Sequence, residues 1–166
     1  DDLAADMQEM IEAKLAAAGF EHYETSAFAK SGRRSQHNLN YWQFGDYLGI
    51  GAGAHGKISF HDKIIRQARF KQPSEYLAKM AAGSAIQTEE VIEKSALPFE
   101  FMLNTLRLTG GFPIVLFTER TGLPMTKIIH EIERACSEGL LERDLHHVKP
   151  TLKGQRFLNV LMERFL

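Results

Sequence analysis

Apolar residues in the first twenty positions recur at helical spacing. Leu3, Met7, Met10, Ile11 and Leu15 share one face of a predicted helix that opens at Asp1, and Gly19 ends it as a C-cap. The period then shortens. "FEHYETSAF" is aromatic and β-branched and reads as a strand, followed by a polar, basic loop, "AKSGRRSQ". "HNLNYW" comes next, and "YLGIGAGAH" reads as a second strand. In "KISFHDKIIRQARF" Ile58 and Phe60, then Ile64, Arg66, Ala68 and Phe70, alternate around His61-Asp62, which predicts a hairpin. "PSEYLAKMAAG" is a short helix with Pro73 in its first turn and Gly83 beyond its end.

The character changes near Ala96-Leu97-Pro98. "PFEFMLNTLRLTGGF" predicts a helix ended by Gly110-Gly111, and "PIVLFTERTG" a second ended by Gly122. "PMTKIIHEIERACSEGL" predicts a third, with Ile128, Ile129, Ile132, Ala135 and Cys136 as its apolar stripe. "LLERDLHHVKP" is a short hairpin and "TLKGQRFLNVLMERFL" a closing helix. The expected fold class is α/β plus α. Residues 1–84 form an α/β portion, 85–97 a linker, and 98–166 a winged-helix-like domain.

Composition narrows the function classes. Of 166 residues, 44% are hydrophobic and 25% charged, and the net charge is −1, so no global field attracts nucleic acid or an anionic membrane. No apolar run approaches the roughly 18 residues that span a bilayer, and no signal-peptide pattern opens the chain, which points to a soluble, cytoplasmic protein. The single cysteine, Cys136, rules out an intrachain disulfide and any site needing several thiolates of this chain. On its helix it reads as an inert core thiol. The chain lacks an initiator methionine and opens inside a helix, so it reads as a piece of something longer.

Two stretches carry candidate chemistry. On a strand, Gly49, Gly51 and Gly53 would share one face, with His55 at its end and Leu48, Ile50, Ala52 and Ala54 on the other. Each strand glycine costs roughly 0.5–1 kcal/mol relative to alanine. Three on one face imply close approach, by a ligand or by another backbone. The stretch is no phosphate loop: it lacks the Lys-Ser/Thr ending, and Ala54 spoils G-x-G-x-x-G. The second stretch groups His37, Asn38, Tyr41 and Trp42 within six residues. An imidazole can ligate haem iron and flat rings suit a macrocycle, while Lys30, Arg33 and Arg34 could meet carboxylates. A hydrogen-bonded structural histidine and a solvated basic loop explain the same residues. His146-His147 are adjacent on a strand and point to opposite faces, so they read as surface residues.

"YETSAFAKSG", "HNLNYW", "FGDYLGIGAGAHG" and "PFEFMLNTLRL…TGL" together resemble the oxygen-independent coproporphyrinogen III oxidase-like family of radical S-adenosylmethionine proteins, over essentially residues 1–166. Its haem-chaperone branch is the closer match. The resemblance implies that residues 1–84 are the last part of a partial (β/α) barrel. It implies that Gly51, Gly53, Ala54 and His55 line the S-adenosylmethionine and substrate cavity. It implies that His37, Asn38, Tyr41 and Trp42 bind haem, with His37 as the candidate iron ligand. The full-length family carries a [4Fe–4S] cluster on a CxxxCxxC motif, which this chain lacks, so no catalytic residue is expected here and the chain alone should be inactive.

Three functions compete at this point. The first is haem binding and transfer to acceptor proteins, with peripheral membrane association and a homodimer compatible with the full-length protein. The second is oxidative decarboxylation of coproporphyrinogen III to protoporphyrinogen IX. The third is DNA binding by the winged-helix region. The third is disfavoured. Residues 125–138 set Lys127 and Arg134 against Glu131, Glu133 and Glu138, and residues 98–166 hold nine Lys/Arg and eight Asp/Glu, with no basic face.

Overall fold

The computed structural model describes residues 2–166, so Asp1, with which the predicted first helix opens, lies outside the described residues. Two compact units emerge: Asp1–Gln43 with Pro98–Leu166, and Phe44–Leu97. The chain therefore groups differently from the expected 1–84 and 98–166, because residues 1–43 pack with the second half.

In the first unit, α1 (Asp2–Ala17) leads through Gly19, at φ +79°, to β1 (Glu21–Glu24). The single strand expected for "FEHYETSAF" is instead a tight antiparallel hairpin with β2 (Ala27–Ala29), with a register shift between His22 and Glu24. The buried Glu24 carboxylate causes the turn by accepting from Ser26 N–H at 3.2 Å. The apolar stripe of α1 is not buried: Leu3, Met7, Met10 and Ile11 are exposed. "HNLNYW" forms α2 (Gln36–Trp42).

The same unit continues with α4 (Leu97–Thr105), β6 (Phe112–Pro113), α5 (Val115–Thr121), a 3₁₀ turn (Met125–Lys127), α6 (Ile129–Ser137), β7 (Leu141–Arg143), β8 (His147–Pro150), α7 (Leu152–Arg156) and α8 (Leu158–Glu163). Gly122 caps α5 at φ +69°. The predicted third helix starts with that 3₁₀ turn, and the predicted closing helix breaks at Phe157, which turns α7 into α8. The strands form one antiparallel sheet in the order β6-β8-β7. Its core is the fully buried Phe101, wedged edge-on between Phe112 (5.1 Å) and Phe117 (5.2 Å), with Ile128, Ile132, Val148 and Leu161 around it.

The β1–β2 hairpin is stitched to the segment after α4. Thr25 N–H and Oγ1–H both donate to Arg107 O (3.0 and 3.2 Å), and Thr109 Oγ1–H donates to His22 O at 2.6 Å. These bonds span more than eighty positions of sequence and fix the backbone of Arg107.

In the second unit, β3 (His55–Ser59) and β4 (Ile64–Arg69) form the expected hairpin, and α3 (Pro73–Ala81) follows as predicted. The segment read as a linker holds a third strand, β5 (Ile86–Val91), antiparallel to β4. Its polar side chains explain why it escaped a hydrophobic pattern. Gln67 Nε2–H donates to Glu89 at 2.6 Å, and Arg66 pairs with Glu90 at 3.5 Å across the strands.

Candidate functional sites

α2 is held by its first turn. Ser35 Oγ accepts from Asn38 N–H at 3.3 Å, and the Ser35 hydroxyl donates to Asn38 Oδ1 at 3.2 Å. This is an N-cap, so Asn38 serves the helix end. Helical geometry puts His37 and Tyr41 on one stripe and Asn38 and Trp42 on the next. The His37 side chain is exposed. Tyr41 meets Trp42 edge-to-face at 4.8 Å and 84°. The Trp42 Nε1–H is buried and has no acceptor among the described residues. Such an orphan donor costs about 1–3 kcal/mol.

The upstream basic residues are partly engaged. Arg34 pairs with Glu21 at 2.8 Å and lies over the Tyr23 ring, and Lys30 lies over Phe20 at 5.6 Å. A cation that the sequence reading missed stands closer to the cluster: Arg107 Cζ is 5.0 Å from the Trp42 ring centroid. Sixty-five positions of sequence separate the pair, so no local motif signals it.

The glycine stretch is not a strand. Residues 48–54 form a loop in which Gly51 and Gly53 take φ +104° and +72°, outside the β region, so the three glycines do not share one strand face. Gly49 does mark a close approach, of the chain to itself: a Cβ there would lie 2.3 Å from His55 O. His55 is exposed and opens β3. The loop is pinned by Arg69 Nε–H to Gly49 O (3.2 Å), Gly51 N–H to Tyr76 Oη (3.2 Å) and Gly53 N–H to Phe70 O (2.9 Å). Leu48 and Ile50 project from this held backbone at 71% and 87% exposure.

The same unit holds a half-buried ion pair. Lys57, with a side chain 5% exposed, donates to Asp46 Oδ1 at 3.0 Å and sits 4.2 Å from the Phe44 ring centroid. Burial, the largest influence, pushes the Asp46 carboxyl up. Hydrogen bonds from Ser59 N–H, Ser59 Oγ–H and Lys57, with the lysine's charge, outweigh it and hold the carboxyl below the usual range.

The remaining candidates are structural. Cys136 is half-buried, and burial pushes its thiol above the usual value. The backbone N–H groups of His146 and His147 both donate to Asp144 Oδ1, at 2.7 and 2.8 Å, and hold that carboxyl low. Among the described residues no three His, Cys, Asp or Glu side chains converge as metal ligands, and no described helix is long and apolar enough to cross a membrane. The lone Cys136 does not fit a [4Fe–4S] cluster.

Residues 92–157 match the family model of the HemN C-terminal domain. Over its whole length the chain is 41% identical to the heme chaperone HemW of Escherichia coli and 40% identical to the heme chaperone HemW of Haemophilus influenzae, and it spans 43% of the length of each. In fold it resembles the coproporphyrinogen III oxidase HemN of Escherichia coli, a radical SAM enzyme. The TM-score is 0.65 at 14% identity, covering 97% of this chain and 40% of that one. Residues 92–157 are thus similar to the HemN C-terminal domain, and the chain is similar, from end to end, to proteins named heme chaperone HemW.

Proposed function

We propose that this chain is the haem-binding part of a radical S-adenosylmethionine protein that carries haem and hands it to acceptor proteins. The observation that supports this reading is that similarity to proteins named heme chaperone covers all of the chain, α2 included. His37 is the iron ligand: its imidazole is exposed on α2, where a planar ligand can reach it. Tyr41 and Trp42 pack against the macrocycle, and Asn38 holds the helix end that presents His37. Residues 98–166 form a winged-helix-like domain that docks or covers the rest of the protein rather than reading DNA. Loop 48–54 and His55 face the S-adenosylmethionine cavity, whose cluster ligands come from outside this chain. Haem is cargo here, so the site must bind it and release it.

The test is haem titration of the intact protein, read by the Soret band and by quenching of Trp42, the sole tryptophan. His37→Ala is expected to shift the Soret maximum and weaken binding. An unchanged spectrum and affinity would remove His37 as the ligand. Oxidative decarboxylation is the competing activity and is separated by product analysis, since formation of protoporphyrinogen IX would favour it.

A further inference from the structure

Arg107 has an unusual environment. Its backbone is fixed by both Thr25 bonds, and its guanidinium lies over the Trp42 indole at 5.0 Å. No carboxylate among the described residues lies within ion-pair distance of it, although Arg34, Arg134, Arg143, Arg156 and Arg164 each have one. A guanidinium placed over a ring face keeps its in-plane N–H groups for an acceptor, and its fork matches the two oxygens of a carboxylate. The neighbouring Trp42 Nε1–H is a second donor without an acceptor. Arg107 is also reachable from solvent. It lines an open groove of about 360 Å³ with Thr25, Gln155, Arg156, Phe157 and Val160, which sets two arginines beside apolar residues.

We propose that Arg107 is a carboxylate-binding residue for the tetrapyrrole, pairing with one of its propionates. The inference rests on the reading of α2 as the haem-binding element and adds to it the residue that recognises the ligand's acid arm. His37 and Trp42 are five positions apart, about 7.5 Å along a helix axis. Five positions also turn the helix by about 140°, so the two side chains leave different faces of α2, and it is Arg107, standing off the helix over the Trp42 ring, that would meet the ligand's carboxylate arm. Iron ligation and acid recognition would then come from different parts of the sequence, Arg107 being brought to α2 only by the fold.

The experiment titrates the intact protein with three probes: haem, haem dimethyl ester and metal-free protoporphyrin IX. Arg107→Gln is expected to lose about tenfold in affinity for haem and for protoporphyrin IX, the range for one charge-assisted hydrogen bond. It should lose nothing for the ester, and the Soret maximum of bound haem should stay in place. An equal loss for all three ligands, or no loss for any, overturns the proposal, because Arg107 then only supports Trp42 or does nothing. Arg107→Lys keeps a cation over the indole and guards against a folding defect. Its acid-over-ester preference should fall below the wild-type value, and an unchanged preference overturns the proposal. The underlying reading fails separately: it falls if His37→Ala leaves the haem spectrum and affinity unchanged, whatever Arg107→Gln does to protoporphyrin IX.

Discussion

The Asp46–Lys57 pair predicts an asymmetry between its two deletions. Asp46→Asn keeps the shape of the side chain and removes its charge, leaving the Lys57 ammonium beside the Phe44 ring with its side chain 5% exposed. Breaking a fully buried pair in this way costs about 3–5 kcal/mol. Asp46 is 44% exposed, so water screens part of the pair, and the expected cost drops to about 2 kcal/mol. Lys57→Met removes the buried charge itself and places an apolar chain of similar length against Phe44. The Asp46 carboxylate then keeps Ser59 N–H at 3.0 Å and Ser59 Oγ–H at 2.8 Å and faces solvent. That substitution should cost less than about 1 kcal/mol. Native-state hydrogen exchange reads both effects locally at the amides of β3 and β4. Asp46→Asn should speed their exchange by roughly 30-fold, and Lys57→Met by a few-fold at most. The sign with pH follows from the lowered Asp46 carboxyl. A depressed pKa contributes stability that is fully present above the unfolded value, about 3.9, and is lost as pH falls through the lower folded value. The gap between wild type and Asp46→Asn should therefore hold from pH 7 to 5 and close only in stronger acid. If Lys57→Met proves as costly as Asp46→Asn, burial of the ammonium is not what the pair resolves, and the reasoning fails.

Gly49→Ala should detach the loop over residues 48–54. Its Cβ would meet His55 O at 2.3 Å and His55 C at 2.6 Å, backbone atoms that cannot turn aside, so its thermal midpoint should fall well below that of Gly51→Ala. At Gly51 there is open space and only the strain of φ +104°, about 1–2 kcal/mol. Ser35→Ala removes the acceptor for Asn38 N–H and should destabilise α2 by about 1 kcal/mol, seen as faster exchange of the α2 amides with the exchange of β3 and β4 unchanged. Cys136 should label slowly with a thiol-specific reagent at neutral pH, and its rate should pass its half-maximal value at a higher pH than that of an ordinary thiol, which is half ionised near about pH 8.5. A rate matching that of a free thiol at pH 7 would contradict the effect of its burial.

Elements that bury one face were legible in the sequence. The stripe of Ile128, Ile132 and Ala135 is buried as its spacing requires, and the β3–β4 hairpin follows its alternation. Elements whose neighbours decide their state were not. β5 presents Thr88, Glu89 and Glu90 to solvent and is a strand because β4 pairs with it, so its own residues give no two-residue hydrophobic period. The glycine stretch failed for the opposite reason. Its spacing fits a strand, but glycine also reaches positive φ, and Gly51 and Gly53 use that freedom to turn the chain. Close approach was the right inference from Gly49 all the same, since the His55 backbone fills the space where a side chain would stand.

The candidate haem element shows the same division between local and distant information. "HNLNYW" contains its own helix signals, with Ser35 as cap, and the four-residue spacing that aligns His37 with Tyr41 can be read directly. The charge that stands against the cluster cannot. Lys30, Arg33 and Arg34 looked suited to that role because they are near in sequence, yet Lys30 lies over Phe20 and Arg34 is committed to Glu21 and the Tyr23 ring. Arg107 sits between apolar residues in "TLRLTG", where its charge reads as an interruption of the core pattern. Its place over Trp42 depends on Thr25 and Thr109 binding across to Arg107 O and His22 O. A guanidinium set down by backbone hydrogen bonds, rather than by a partner carboxylate, keeps its full charge for whatever acid reaches it.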